Sequence, residues 1–237
     1  MVKVSIFALD LPFKREFKEN LISFLNSKEK KSLPSNGSVR FDSSLAGKVA
    51  IKKLLSNYYE INLKDIVIEK TILGKPYIQE LHKFGVSISI SHSGKYLAVA
   101  FNTQGEIGID IEIRKTVEIN NLLPVFSINE ITYIRTCKSK LEKNDRFYSL
   151  WTLKEAYLKA IGKGFYEDSP ECVQVLSNGQ YAVRENIKKN YTEWFFNQTY
   201  SDTYFISICS NKKVSSSLSD SLLTPLDLNK YVIENLN

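Results

Sequence analysis

The chain is poor in the residues that build several common kinds of site. Its 237 residues include two histidines, His82 and His92. That scarcity excludes a centre made of several imidazoles, such as a zincin-type zinc site. There are three cysteines, Cys137, Cys172 and Cys209, and no CxxC pair. An odd, sparse set fits a reducing compartment and not a disulfide framework, so a cytoplasmic protein is expected. Ten glycines and six prolines are too few for a low-complexity or collagen-like chain. No run approaches the ~20 apolar residues needed to cross a bilayer, so no membrane partner is expected. The amino-terminal stretch MVKVSIFALD meets Asp10 early and lacks a small-residue cleavage site. It reads as a first strand and not as a signal peptide.

What is present is ordinary for a globular protein: 43% hydrophobic and 24% charged residues. At about 150 residues per domain, the length allows one large domain or two small ones. Lys plus Arg outnumber Asp plus Glu by 32 to 26, a net charge of +6. Such a surplus points to an acidic partner: a polyphosphate, a nucleic acid, an anionic membrane or an acidic protein. A nucleic-acid binder would show a basic helix with interleaved aromatics or a reading motif. Neither is present, so no nucleic-acid partner is expected.

The hydrophobic pattern predicts a strand over 2–9 and a helix over 14–31. A loop with Pro34 and Gly37 follows, then an amphipathic helix over 43–59. Strand–turn–strand units are predicted at 66–79, around Gly74-Lys75-Pro76, and at 86–101, around Ser91-His92-Ser93-Gly94. The second half repeats the order: a helix over about 145–161, a strand pair over 172–184 around Asn178-Gly179, and another over 193–209 around Ser201-Asp202. Chance alternation of helices and hairpins is the plain alternative to a duplication. Read as a duplication, the chain is an α/β (α+β) protein with two similar, pseudo-symmetric lobes. Each lobe is a helix packed on a mainly antiparallel sheet, and the cleft between them is the natural ligand site. The expected division is 1–104, 105–212 and a Ser-rich tail, 213–237, with a short last helix near 226–236.

Three stretches carry the chemistry. In Gly108-Ile109-Asp110-Ile111-Glu112-Ile113, alternation sends the isoleucines into a core and both carboxylates to the other face. Two carboxylates two residues apart repel unless a cation or a Lys/Arg lies between them. Their hard oxygens suit Mg²⁺; the plain alternative is a solvated acidic face. In the helix Phe147–Ile161, Leu150, Leu153, Tyr157, Ala160 and Ile161 share one face, and Thr152, Glu155 and Lys159 the opposite one. Glu155 and Lys159 are an i, i+4 pair. They form either a surface ion pair or a third metal ligand beside a phosphate-facing lysine. Gly162 and Gly164 close this helix. In Ile90-Ser91-His92-Ser93-Gly94, hydroxyls and a histidine at a hairpin tip suit an anion. No G-x-S-x-G elbow supports a Ser–His hydrolase.

Taken in order, Gly74-Lys75-Pro76, Ile90-Ser91-His92-Ser93-Gly94, Gly108-Ile109-Asp110-Ile111-Glu112 and Trp151-Thr152-Leu153-Lys154-Glu155-Ala156-Tyr157-Leu158-Lys159 resemble the 4′-phosphopantetheinyl transferases. The resemblance is to the long, two-lobed kind typified by the surfactin synthetase activator and covers about residues 3–210. It implies transfer of the phosphopantetheine arm of coenzyme A to a serine of an apo acyl or peptidyl carrier protein, releasing 3′,5′-ADP, by a monomer. It implies that Asp110, Glu112 and Glu155 hold Mg²⁺ (or Mn²⁺) and that Lys159 contacts the pyrophosphate. Glu155 is then the general base, Ser91 and His92 grip coenzyme A phosphates, and Lys75 lies along the nucleotide. Ser44 falls where the family places a Ser/Thr. The residue before it, often arginine in the family, is Ser43, which leaves the 3′-phosphate to Arg40, Lys30 or Lys31. Glu130 matches a family acidic position and is either a holder of a metal-bound water or a helix-start carboxylate. Leu122–Phe126 is either a carrier contact or core. A noncatalytic coenzyme A binder and a metal-dependent phosphohydrolase are the other classes considered. The intact Asp110, Glu112, Glu155 and Lys159 argue against the first, and two histidines cannot supply the cluster the second needs.

Overall fold

Eleven strands and seven helices are traced in a computed structural model that describes residues 1–116, 125–163, 173–175, 181–183, 194–213 and 225–233. In chain order they are β1 (Val2–Ala8), α1 (Arg15–Ser23), α2 (Ser27–Lys31), α3 (Val39–Tyr59), β2 (Ile68–Lys70), β3 (Pro76–Ile78), α4 (Gln79–His82), β4 (Ser87–Ser93), β5 (Tyr96–Asn102) and β6 (Ile107–Ile113). Then come α5 (Ile128–Arg135), α6 (Lys140–Ile161), β7 (Val173–Val175), β8 (Tyr181–Val183), β9 (Phe195–Tyr200), β10 (Tyr204–Ser210), β11 (Leu226–Asp227) and α7 (Leu228–Ile233). The fold is mixed α/β, with helices packed on mainly antiparallel sheets. No described helix is long and apolar enough to cross a membrane.

Two sheets organise the molecule. The first has the order β11-β1-β5-β4, and the second β6-β10-β9. β5 is buried along its whole length, and its alternation explains why. Leu97, Val99 and Phe101 enter one core with Leu45, Val49 and Leu55 of α3. Tyr96, Ala98 and Ala100 point the other way and meet Ile109 and Ile111 of β6 and Ile206 and Ile208 of β10. The first sheet is thus sandwiched between α3 and the second sheet. In the second sheet, Asp110 lies opposite Ser207 and Glu112 opposite Phe205. These residues occupy the face away from the shared core, against α6.

The close fit of α6 on β6 depends on Gly108. A Cβ there would stand 1.9 Å from the Ala156 carbonyl oxygen and 2.5 Å from the Ala160 nitrogen. Only a residue without a side chain lets helix and strand approach this closely.

Several boundaries differ from the sequence expectation. The helix predicted over 14–31 is two helices, because Asn26 breaks it. Its side chain accepts from the Glu29 N–H, and the Glu29 carboxylate accepts from the Asn26 N–H, a capping box that starts α2. α3 and α6 begin earlier than the apolar pattern does. The hydroxyls of Ser38 and Ser139 cap them, and a cap sets a helix start independently of which face is buried. The strand pairs at 193–209 and 172–184 are present as β9–β10 and β7–β8. The Asn178-Gly179 turn, Cys172, Gly164 and 214–224 lie outside the described residues. Beyond them the chain returns to the first sheet: β11 runs parallel to β1, and Leu228 and Val232 join the core beside α3.

Candidate active site

β6 is an edge strand of the second sheet, and its outward N–H groups need acceptors. The serines of β4 provide them. Ile109 N–H donates to Ser89 Oγ at 3.0 Å, Ile111 N–H to Ser91 Oγ at 3.3 Å, and Ile113 N–H to Ser93 Oγ at 3.1 Å. Ser87 Oγ donates to the Gly105 carbonyl at 2.9 Å. Serines at every second position of a strand put all their hydroxyls on one face. Here that face fastens one sheet to the edge of the other.

Two of these hydroxyls also reach the carboxylates. Ser91 Oγ donates to Asp110 Oδ1 at 2.8 Å, and Ser93 Oγ donates to Glu112 Oε2 at 2.6 Å. From α6, the Lys159 ammonium lies 2.6 Å from Asp110 Oδ1 and 2.9 Å from Ser91 Oγ. Asp110 is buried, and its Oδ2 has no partner. Burial raises the Asp110 pKa against the opposing pull of Lys159 and Ser91. Burial also raises that of Glu112, against its Ser93 hydrogen bond. Glu155, one turn before Lys159, is pushed up to about 6 by burial, with Lys159 opposing and Asp110 and Glu112 adding repulsion. One buried and two half-buried carboxyls thus share the site with one lysine. Among the described residues, no three His, Cys, Asp or Glu side chains are gathered tightly enough to hold a metal as they stand. Lys159 supplies the positive charge against Asp110.

His92 lies near the end of β4 and not at the hairpin tip, which is Gly94-Lys95. Partial burial of its ring, then the charges of Lys159 and Arg40, hold its pKa below the ordinary value, with Asp110 opposing. Arg40, in the first turn of α3, is thus close enough to act on His92. Ser43 is buried and Ser44 half-buried on α3, while Lys30 and Lys31 are exposed at the end of α2. No hydrogen bond among the described residues joins Ser44, Lys30 or Lys31 to the carboxylate cluster. Lys75 and Lys159 line one cavity of about 200 Å³, together with Lys163, Pro76, Ile88, Ile90 and Leu158. The Lys75 ammonium is turned to Glu106 and to the Ala160 carbonyl.

Glu130 forms a capping box with Ser127 at the start of α5, and its Oε2 lies 2.9 Å from the buried Lys154 ammonium. This is the helix-start role, and the second oxygen, Oε1, is buried with no hydrogen-bond partner among the described residues. Of Leu122–Phe126, the first three residues lie outside those described. Phe126 is buried against Phe147, as core.

Residues 106–209 match the model of the 4′-phosphopantetheinyl transferase superfamily. Residues 11–104 match that of the 4′-phosphopantetheinyl transferase N-terminal region. The 4′-phosphopantetheinyl transferases ffp of Bacillus subtilis and Sfp of Bacillus subtilis strain 168 are each 34% identical over 158 residues, 66% of this chain and 68% of theirs. The transferase gsp of Aneurinibacillus migulanus is 34% identical over 123 residues, 52% of this chain and 49% of its own. The chain belongs to the 4′-phosphopantetheinyl transferase superfamily.

In this Sfp-type transferase, the sequence motifs converge on the corner between β4, β6 and α6. Sequence reasoning missed two features of the corner. One is the serine run as a fastening between sheets, whose only signal is a small hydroxyl at every second position from 87 to 93. The other is Glu106, whose partner Lys75 is 31 residues away in the chain and carries no local pattern.

Proposed function

We propose that this transferase moves the 4′-phosphopantetheine arm of coenzyme A onto a serine hydroxyl of an apo acyl or peptidyl carrier protein and releases 3′,5′-ADP. The observation that carries the reading is the set Asp110, Glu112, Glu155 and Lys159, assembled from β6 and α6 beside a cavity lined by three lysines. The unpartnered, buried Oδ2 of Asp110 and the carboxyls of Glu112 and Glu155 are hard donors of the kind Mg²⁺ or Mn²⁺ takes. Asp110, Glu112 and Glu155 would hold the ion. An ion held there would supply positive charge against the negative charge that develops as the phosphoanhydride breaks.

The chain's own groups supply the rest. Lys159 neutralises Asp110 in the free protein and contacts the pyrophosphate in the complex. Glu155 accepts the proton of the incoming serine, directly or through a water. Ser91 and His92 border the coenzyme phosphates. Burial and then its cationic neighbours lower the His92 pKa, and a bound phosphate would oppose that shift. Arg40, with Lys30 or Lys31, serves the 3′-phosphate, and Lys75 and Ser44 flank the nucleotide.

We take residues 1–104 with the returning 225–233 as one lobe and 105–212 as the other, related by a repeat of element order. The ligand lies at their joint, and the protein acts as a cytoplasmic monomer. The test is transfer itself. With coenzyme A, Mg²⁺ and a panel of apo carrier proteins, intact mass is expected to show a gain of one phosphopantetheine. Asp110→Ala is expected to abolish the gain while circular dichroism stays native. No gain on any carrier refutes the reading.

A further inference from the structure

Lys75 spans the joint between the two halves of the molecule. Its backbone is fixed in the β2–β3 turn, where its N–H donates to Thr71 Oγ1 at 3.1 Å and its carbonyl accepts from Thr71 N–H at 2.9 Å. Its side chain then crosses to α6. The stem lies over Gly162, where a Cβ would come within 3.1 Å of Lys75 Cδ. Gly162 is the C-cap of α6 at φ +74, a conformation that glycine adopts without strain. The ammonium donates to the Ala160 carbonyl at 2.5 Å and to the Glu106 carboxylate. A helix C-terminus carries partial negative charge, so both acceptors suit a cation.

Glu106 is itself held in place. Its N–H donates to Asn211 Oδ1 at 2.8 Å, and its carbonyl accepts from Asn102 Nδ2 at 3.5 Å. The Lys75 side chain is 14% exposed and that of Glu106 42% exposed. The lysine is therefore enclosed, while the carboxylate reaches it from the solvent side. Lys75 lines the cavity that it shares with Lys159, as does Gly162, against which its stem lies.

We propose that Glu106 is a positioning residue: by holding the Lys75 ammonium against the end of α6, it keeps the Lys75 stem as a wall of the coenzyme pocket. This rests on the reading of that cavity as the coenzyme A site. Glu106 touches neither the carboxylate cluster nor the reacting atoms, so it acts on binding and not on the chemical step. Without it, the flexible lysine samples other rotamers, and part of that freedom must be lost on binding.

The experiment is calorimetric titration of coenzyme A into wild type, Glu106→Gln, Glu106→Ala, Lys75→Ala and the double variant, beside steady-state transfer kinetics. Glu106→Ala is expected to raise the Kd for coenzyme A about fivefold, the size of a partly exposed ion pair. KM rises with it, while kcat at saturating coenzyme A stays within about twofold. Glu106→Gln, which keeps an acceptor, falls between. Removing Glu106 from Lys75→Ala has no further effect, because one interaction is lost once. Unchanged or tighter binding by Glu106→Ala overturns the proposal, because the carboxylate would then be neutral or repulsive toward the phosphates. Additive losses in the double variant overturn it as well. A folded wild type that binds no coenzyme A refutes the reading of the site, and this inference falls with it.

Discussion

Replacing Gly108 with alanine tests whether the strand–helix contact sets the geometry of the site. The added Cβ would lie 1.9 Å from the Ala156 oxygen and 2.5 Å from the Ala160 nitrogen. A carbon–oxygen contact normally settles near ~3.3 Å, so β6 and α6 must separate by more than about 1 Å. Both opposing atoms are helix backbone, and no side-chain rotation relieves the clash. Overpacking of this kind costs about 1–3 kcal/mol, and the rigid partner places Gly108→Ala near the upper end, at about 3 kcal/mol. The same shift moves Asp110 and Glu112, on β6, away from Glu155 and Lys159, on α6. A displacement of about 1 Å between reacting groups can lower the rate about a hundredfold. Urea unfolding measures the first effect, and kcat/KM for phosphopantetheine transfer the second. Both are expected to fall together, with the activity loss persisting at a temperature where the variant is fully folded. Wild-type stability with kcat/KM within threefold of wild type would refute the reasoning.

Two further outcomes follow from buried charge. In the metal-free protein the Glu155 pKa stands near 6 against an ordinary 4.5, so the neutral carboxyl is favoured by folding. The stability it contributes, about 2 kcal/mol, is complete below pH 4.5 and lost as the pH rises through 6. With chelator present, Glu155→Gln is therefore expected to flatten the fall in Tm between pH 4.5 and 7; the wild-type pH dependence in this variant would contradict the assignment. Lys52 and Glu29 form a fully buried pair at 3.1 Å, and Lys52 also donates to the Phe24 carbonyl at 2.7 Å. Lys52→Met removes the cation from the buried Glu29 carboxylate, which then keeps, among the described residues, only the N–H groups of Asn26 and Ile68, and is expected to cost about 3–5 kcal/mol in urea unfolding. A cost below about 1 kcal/mol would mean that those two N–H groups suffice to hold the carboxylate.

Much of the molecule is readable from the chain alone, and the readable part has a common cause. Side-chain periodicity reports which face a residue occupies. Alternation over Gly108–Ile113 put Asp110 and Glu112 together, opposite the isoleucines, and the structure has them so. The i, i+4 spacing placed Glu155 and Lys159 one turn apart on α6. The turn residues located the β9–β10 hairpin. Periodicity does not report what a face will meet. Thr152, expected on a polar face with Glu155 and Lys159, is buried and lies 2.7 Å from Ser207 Oγ. α6 carries Leu153 on one side and Lys154 on the next, and both are buried. No stripe in its sequence says which side holds the sheet.

The sequence by itself determined most of the elements, the order in which they follow and the residue types the chemistry needs. Only the tertiary structure decided their partners: Ser91 with Asp110, Ser93 with Glu112, Lys75 with Glu106, and the final strand beside the first. The physical reason is range. Backbone preference and periodicity act over a few residues, whereas these pairings join groups 19 and 31 residues apart, or opposite ends of the chain. They form only when two sheets and two long helices pack in one register, and every unpaired donor and charge at their joint must then find a partner.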